Sequence, residues 1–362
     1  MTGAAELDAI GWRHDLAVAF APHELAGRIP ARVLSEERGQ FLLHDGSLTH
    51  AATVTGRLRY ESGGDPLAYP MVGDWVAATA ALDGSATIHS VLPRSSAIVR
   101  RAPVGHGSDV QAIAANVDVV FIVSSLNDEL NLRRLERYLA VTWESGATPV
   151  VILSKADLDD DVPGHRLAVE AIAPGVEVIV ASAISGDGIE AVRAHLGAGR
   201  TVAFIGSSGV GKSTLVNRLA GYELLTTAGI RDDDARGRHT TTRRQLVALA
   251  DGLVIDTPGM RELALVDGEG LAGAFEDVEA VTARCRFSDC AHASEPGCAV
   301  QVALASGDLD RDRFDAFQKL RREAHRAEIA NDAVARKAER RKWTAMSRGV
   351  ERHMERKYGR ER

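Results

Sequence analysis

Gly206-Ser207-Ser208-Gly209-Val210-Gly211-Lys212-Ser213-Thr214 fits the pattern G-x-x-x-x-G-K-S/T, and the residues before it, Thr201-Val202-Ala203-Phe204-Ile205, form an apolar run of strand length. The glycines allow backbone dihedrals closed to other residues, so successive N–H groups can point inward at phosphate oxygens. Lys212 brings a point charge to the terminal phosphates and Ser213 a hydroxyl to Mg2+. Leu215, Val216 and Leu219 then continue as the apolar face of a helix whose positive N-terminus faces the same phosphates. The strand, loop and helix in this order distinguish a nucleotide loop from a plain Gly-Ser turn.

Downstream, Leu253-Val254-Ile255-Asp256-Thr257-Pro258-Gly259 is an apolar strand ending in Asp-x-x-Gly. Asp256 is expected to hold Mg2+ through water, and the Gly259 N–H to meet the third phosphate. Between the two motifs, Gly237-Arg238-His239-Thr240-Thr241-Thr242 places hydroxyls in a polar segment where a triphosphate switch needs one for Mg2+. Thr241 is the first choice and Thr240 the second. Met260 follows Gly259 where many GTPases place a water-orienting Gln, and a thioether cannot donate to water. His239 is the nearest group able to exchange a proton near neutral pH.

Base choice is read from Leu153-Ser154-Lys155-Ala156-Asp157-Leu158 and from Ala181-Ser182-Ala183, each at the end of a strand. The Lys155 stem covers the purine face, while the Asp157 carboxylate accepts from the guanine ring N–H and exocyclic amine, a pairing closed to adenine. Ser154 stands where the usual residue is Asn. These segments precede the phosphate loop, whereas an ordinary GTPase has them after Asp-x-x-Gly, so the order is circularly permuted. A sheet whose natural termini lie close together permits this.

Around this centre, strand-sized runs at Val117–Ser124, Val150–Leu153 and Val176–Val180, with an amphipathic helix at Leu132–Trp143, predict a mostly parallel sheet covered on both faces. Two further strands, Gln245–Leu249 and Leu253–Asp256, follow the switch segment. From Ile29 to about Arg101 five short runs, Ala31–Leu34, Gln40–Leu43, Ala52–Leu58, Asp74–Ala78 and Ala86–Leu92, with turns such as His44-Asp45-Gly46-Ser47, predict a small antiparallel all-β barrel of OB-fold size. Residues 1–28 offer only a possible short helix.

The chain has 362 residues, 45% of them apolar, enough for two or three cores. Its net charge of −7 is uneven: residues 311–362 carry 17 Lys or Arg against 9 Asp or Glu. Such a basic end, with Arg336, Lys337, Arg340, Arg341 and Lys342 close together, suits a polyanion, although a solvated helix face would read the same way. The apolar runs are too short to span a bilayer, and Met1–Ile10 lacks the pattern of a secretory leader, so a cytoplasmic protein without membrane contact is expected. All three cysteines fall within Cys285-x4-Cys290-x-His292-x5-Cys298. Three thiolates and an imidazole form a complete tetrahedral set for one structural Zn2+.

The permuted order, the barrel before it and the Cys3His module after it make the chain resemble the ribosome-small-subunit-dependent GTPase A family over about residues 29–345. The resemblance is carried by Val72-Gly73-Asp74-Trp75-Val76, Gly206–Thr214, His239–Thr242, Asp256–Gly259 and the cysteine cluster. It implies GTP hydrolysis to GDP stimulated by the small ribosomal subunit and its rRNA late in that subunit's maturation, with His239 of the switch acting in catalysis. The expected divisions are an extension (1–28), an OB-fold domain (29–105), a permuted GTPase domain (106–265), a mainly helical zinc-binding domain (266–345) and a basic tail (346–362), in a monomer. Two other readings of the residues stand beside it: a P-loop ATPase or kinase, and a non-catalytic zinc-containing RNA-binding protein.

Overall fold

A computed structural model describes residues 4–63, 65–101, 110–126, 130–225, 244–256, 268 and 270–331. The alternating runs of the N-terminal region form β1 (Ile29–Glu37), β2 (Gln40–His44), β3 (Thr49–Val54), β4 (Trp75–Ala80) and β5 (Ser85–Val91). Pairings β1–β2, β2–β3, β4–β5 and β1–β4 are antiparallel, but β3–β5 is parallel, so the five-stranded barrel is not wholly antiparallel as expected: the helix after β3 and the strand β4 separate the two in the chain and bring β5 back alongside β3 in the same direction. Its interior is filled by Val33, Phe41, Leu43, Val54, Val76 and Ile88. The strand expected over Ala52–Leu58 stops at Val54. There the Thr55 hydroxyl accepts from the Leu58 N–H (3.1 Å) and starts the helix Gly56–Glu61, from which Leu58 still reaches the core. The N-terminal extension holds two helices, Ala4–Ala9 and His14–Glu24, rather than one; Leu16, Phe20 and Trp12 pack on Trp75 of the barrel, with the Trp12 and Trp75 rings 4.7 Å apart.

A hairpin, β6 (Ala97–Arg101) with β7 (Val110–Ala115), leads into the central sheet. That sheet contains β8 (Val119–Ser125), β9 (Thr148–Ser154), β10 (Glu177–Val180), β11 (Thr201–Ile205), β12 (Gln245–Leu249) and β13 (Gly252–Asp256), in the order β10-β9-β8-β11-β13-β12. All neighbours are parallel except β12, which runs antiparallel to β13. Both faces are covered, which is why these strands are continuous apolar runs in the sequence. Val119, Phe121 and Val123 meet Ile189, Leu215 and Leu219 on one side, whereas Val120 and Ile122 meet Leu135 and Leu139 on the other.

The barrel and the sheet are continuous, because Ser35 of β1 pairs with Gln245 of β12. Arg32 of β1, 1% exposed, staples the seam: its guanidinium donates to the carbonyls of Ile10, Gly73 (3.3 Å) and Asn116 (3.2 Å) and to the Thr201 hydroxyl (2.7 Å). Burial without a direct carboxylate partner pulls its pKa down to about 10.

The C-terminal helices Leu271–Ala274, Glu276–Thr282, Ala299–Ser306 and Arg311–Asn331 share one apolar cluster with the sheet and the helix Leu132–Glu144, through Phe275, Val278, Phe314 and Phe317. Close approach requires Gly270, where a Cβ would lie 1.9 Å from the Ala140 carbonyl oxygen. An ion network closes the contact: Arg313 donates to Glu136 (3.0 Å), Asp277 (2.8 Å) and the Ala274 carbonyl (2.7 Å).

Candidate active site and metal centre

The parallel strands end together. Ala203 opposite Ile255, and Ile205 opposite Ile122, put Ile205 and Asp256 at the same carboxyl edge as Ser125, Ser154 and Val180. Ligands of open α/β sheets bind at this edge. The phosphate-loop segment, both base-reading segments and the strand end carrying Asp256 are therefore neighbours despite their order in the chain.

After β11 the chain turns at Gly206 (φ 143°), where a Cβ would come 2.3 Å from the Val123 carbonyl oxygen, so only glycine fits against β8. Gly211 (φ 93°) then caps the helix Lys212–Ala220, which is anchored by the buried Leu215, Val216 and Leu219. Lys212 Nζ folds back over the loop onto the Gly206 (2.9 Å) and Ser207 (2.5 Å) carbonyls. Ser207, Ser213 and Thr214 are half-buried, Ser208 and Gly209 are exposed, and Val210 is buried beneath them. On the outer side the Arg134 guanidinium donates to the Ser207 hydroxyl, which also hydrogen-bonds the Tyr138 hydroxyl. Burial raises the Tyr138 phenol above its ordinary pKa, so it stays protonated.

Ser154, 2% exposed at the end of β9, donates its hydroxyl to the Val210 carbonyl at 2.6 Å. A hydroxyl thus ties the end of β9 to the Gly206–Thr214 loop. Lys155 follows in a left-handed conformation (φ 57°), which for a non-glycine residue costs on the order of 1 kcal/mol and occurs where a site fixes it. The turn Ala156–Leu158 leaves Asp157 exposed at the sheet edge. It packs on the neighbouring segment through the Ala156 N–H, which donates to the Ala181 carbonyl (3.3 Å). Ser182, 1% exposed, accepts at its hydroxyl from the Ile184 and Ser185 N–H groups (both 3.2 Å), fixing the half-buried Ala183.

The side chains of Cys285, Cys290, His292 and Cys298 bring their ligand atoms within 4.8 Å of one another. Cys285 Sγ lies 3.5 Å from His292 Nδ1 and 4.0 Å from Cys298 Sγ, and Cys298 Sγ lies 3.7 Å from His292 Nδ1. A tetrahedral site with metal–S bonds of about 2.3 Å and a metal–N bond of about 2.0 Å has edges of about 3.5 to 3.8 Å, so small shifts of these four groups let them hold one metal ion. The backbone is shaped for it: His292 is left-handed (φ 59°), and the Glu295 carboxylate accepts from the N–H groups of Ala291 and Ala293 (both 2.9 Å) and Ser294 (3.0 Å), closing the turn between His292 and Cys298. Burial opposes the Cys285 thiolate, but the Val300 and Ala299 N–H groups outweigh it and lower that thiol's pKa. Burial and the neighbouring thiols push Cys290 up to about 11. Only a cation lets all the thiols ionise together.

His239, Thr240, Thr241, Gly259, Met260 and the arginines and lysines of 336–342 lie outside the described residues, as does the Asp256 side chain. Arg134 and Tyr138 touch the Gly206–Thr214 loop at Ser207, contacts that the sequence reading did not foresee. They lie one turn apart on the same face of an ordinary amphipathic helix, 73 and 69 residues from Ser207, and no spacing rule connects them to the loop.

Residues 91–266 match the family model for the RsgA GTPase. A model of the ABC transporter family also matches, over residues 189–354, a span containing the phosphate loop that GTPases and ATPases share. Whole-chain relatives discriminate between the two. The chain is 45% identical over 357 residues to the small ribosomal subunit biogenesis GTPase RsgA of Opitutus terrae, covering 95% of this chain and 96% of that one. It is 46% identical over 298 residues to RsgA 2 of Lactiplantibacillus plantarum, covering 82% and 84%. Among solved structures, YjeQ from Thermotoga maritima superposes with a TM-score of 0.62 at 26% identity, covering 82% of this chain and 98% of that one. The circularly permuted GTPase YloQ shares the fold with a TM-score of 0.59 at 23% identity, covering 82% and 95%. With the permuted strand order, the phosphate loop and relatives this similar across nearly its whole length, the chain belongs to the RsgA GTPase family and is a GTP hydrolase.

Proposed function

We propose that this GTPase acts on the small ribosomal subunit during its late maturation, hydrolysing GTP when docked on the subunit's rRNA. The observation that carries the reading is the convergence of the phosphate loop, Ser154 to Asp157, Ser182-Ala183 and the β13 terminus at one sheet edge. The names of the relatives, small ribosomal subunit biogenesis GTPases, supply the partner. Gly206–Thr214 cradles the phosphates, with Lys212 on the terminal pair. Ser213, Asp256 and Thr241 hold Mg2+, and Gly259 meets the third phosphate. Lys155 and Asp157, backed by Ser154, Ser182 and Ala183, read guanine. Because Met260 cannot orient water, His239 does so once the subunit docks the switch. The Cys285, Cys290, His292 and Cys298 set binds one structural zinc ion, and the basic stretch around Arg336–Lys342 contacts rRNA. The protein works as a cytoplasmic monomer with the domain limits given above. No helix among the described residues is long and apolar enough to cross a membrane.

GTP turnover with and without purified small subunits tests the reading. His239→Ala should keep GTP affinity and subunit binding within a few-fold while losing most of the stimulated rate, about 10²-fold. Absence of stimulation in the unmodified protein would refute the ribosomal assignment, and full stimulation of the variant would refute the role of His239.

A further inference from the structure

Helix His14–Glu24 packs on the outside of the barrel through Leu16 and Phe20, and where it ends three nitrogen-bearing side chains gather. Arg28 Nη1 donates to His23 Nδ1 (2.8 Å), and His23 Nε2 lies 3.4 Å from the Ser90 hydroxyl of β5. His89, also of β5, has its Nε2 3.0 Å from the Thr79 hydroxyl of β4. Arg13, Arg94, Arg133, Arg137, Arg193 and Arg313 each meet a carboxylate; among the described residues Arg28 meets only an imidazole. Nor is it used as a helix cap, because the Ala21, His23 and Glu24 carbonyls accept from the backbone N–H groups of residues 25–28. The rest of its N–H donors have no acceptor among the described residues.

The strand is bent to serve the same spot. Ser90 pairs with Ala77 and Ile88 with Ala78, so His89 is an extra residue bulged from β5. Strict alternation would send His89 and Ser90 to opposite faces, whereas a bulge re-aims side chains. Here Ser90 reaches the helix at His23 while His89, half-buried, stays beside Thr79. Burial and then the Arg28 charge hold both imidazoles below their ordinary pKa, and His23 depresses His89 further; no carboxylate offsets these effects.

We propose that His23, Arg28 and His89, with the hydroxyls of Thr79 and Ser90, form an oxyanion site for a phosphate group at the joint between the N-terminal helix and the barrel. The site lies away from the sheet edge that carries Gly206–Thr214. A phosphate oxygen replaces His23 Nδ1 as the acceptor of the guanidinium. The released Nδ1 then takes a proton from solvent and donates to the same oxyanion, and the two hydroxyls add neutral donors. A carboxylate at position 23 would compete with the phosphate, whereas a neutral imidazole holds Arg28 in place and yields to it.

Proton NMR of the full-length protein tests the site, with the His23 and His89 imidazole resonances assigned through His23→Gln and His89→Gln. Sodium phosphate, compared with sodium chloride at equal ionic strength, should shift both resonances saturably and raise both pKa values. His165, paired with Asp159 at 2.8 Å, is the internal control and should not respond. Arg28→Gln should weaken the phosphate response about 10-fold or more. Ser90→Ala, which leaves the Arg28–His23 bond in place, should weaken it several-fold and serves if Arg28→Gln does not fold. A short single-stranded RNA identifies the source of the phosphate: displacement at concentrations below those of phosphate itself supports the site as one for a nucleic-acid backbone, and no displacement supports it as one for the free anion. An equal response to chloride, no response at His23 and His89, or a phosphate response undiminished in the folded variants would overturn the proposal.

Discussion

Arg313→Met probes how the C-terminal helices are held to the nucleotide domain. Arg313 is 5% exposed and Glu136 is fully buried, and they are joined at 3.0 Å. Burial opposes the Arg313 charge, but Asp277 and Glu136 more than restore it, and the guanidinium also lies 4.2 Å from the Phe275 ring centre. Removing one partner of a buried pair costs about 3–5 kcal/mol, because the other charge is left in a poor solvent. Glu136 would keep Arg133 at 3.1 Å, and Arg133 is 45% exposed, so the lower end, about 3 kcal/mol, is expected. Replacing both members, Arg313→Met with Glu136→Leu, removes the orphaned charge and should recover about 2 kcal/mol of that loss. Urea unfolding followed by tryptophan fluorescence measures the double variant and each single one, Arg313→Met and Glu136→Leu; Trp143 lies against Gly273 at this contact. A single variant within about 0.5 kcal/mol of the unmodified protein, or a double variant whose loss is the sum of the two single ones, would refute the reasoning.

Asp157→Asn should weaken GTP binding about 10²-fold, since two hydrogen bonds to a carboxylate at about 1.5 kcal/mol each are mismatched, and should shift preference toward xanthine nucleotides; equal GTP affinity in competition assays would count against Asp157 as the base reader. Cys298→Ser should abolish stoichiometric zinc in elemental analysis and raise amide exchange across Glu276–Ser306, because a structural zinc ion is worth on the order of 10 kcal/mol to so small a fold; zinc-free protein with unchanged exchange would exclude a structural role. Asp45 accepts from His50 (2.8 Å) and from the N–H groups of Ser47 (2.9 Å) and Leu48 (2.7 Å), which outweigh burial and take its pKa down to about 2. Its folded pKa lies below the unfolded one, so its contribution to barrel stability is present above about pH 4 and is lost as pH falls through 2. Melting curves of Asp45→Asn and the unmodified protein should converge over that window, and parallel curves would rule Asp45 out.

The sites were legible where their chemistry is local. The phosphate loop shows its glycines because dihedrals closed to other residues are needed within six positions, and the cluster of three cysteines and a histidine stands out because groups able to hold one ion lie within a few residues of chain. Likewise the permutation followed from strand-terminal motifs read in sequence order. The turn at Asp45-Gly46 was equally plain, since an Asx carboxylate closes it within three residues. The strand misjudged over Ala52–Leu58 shows the limit of periodicity, for Thr55 can end a strand or cap a helix and only the surrounding barrel selects the cap.

The amino-acid sequence alone determined the nucleotide class, the permuted order, the barrel and the cluster of three cysteines and a histidine, all of which rest on dihedral preference, periodicity or residue spacing over short segments. Tertiary structure decided the rest. It paired Ser35 with Gln245, so that barrel and sheet are one surface, and buried Arg32 across three segments of the seam. It also merged the C-terminal helices into the core of the nucleotide domain and set Arg134 against Ser207. Those contacts join residues about 40 to more than 200 positions apart, and a guanidinium carries no local mark of the carbonyl or hydroxyl it will meet once the chain has closed.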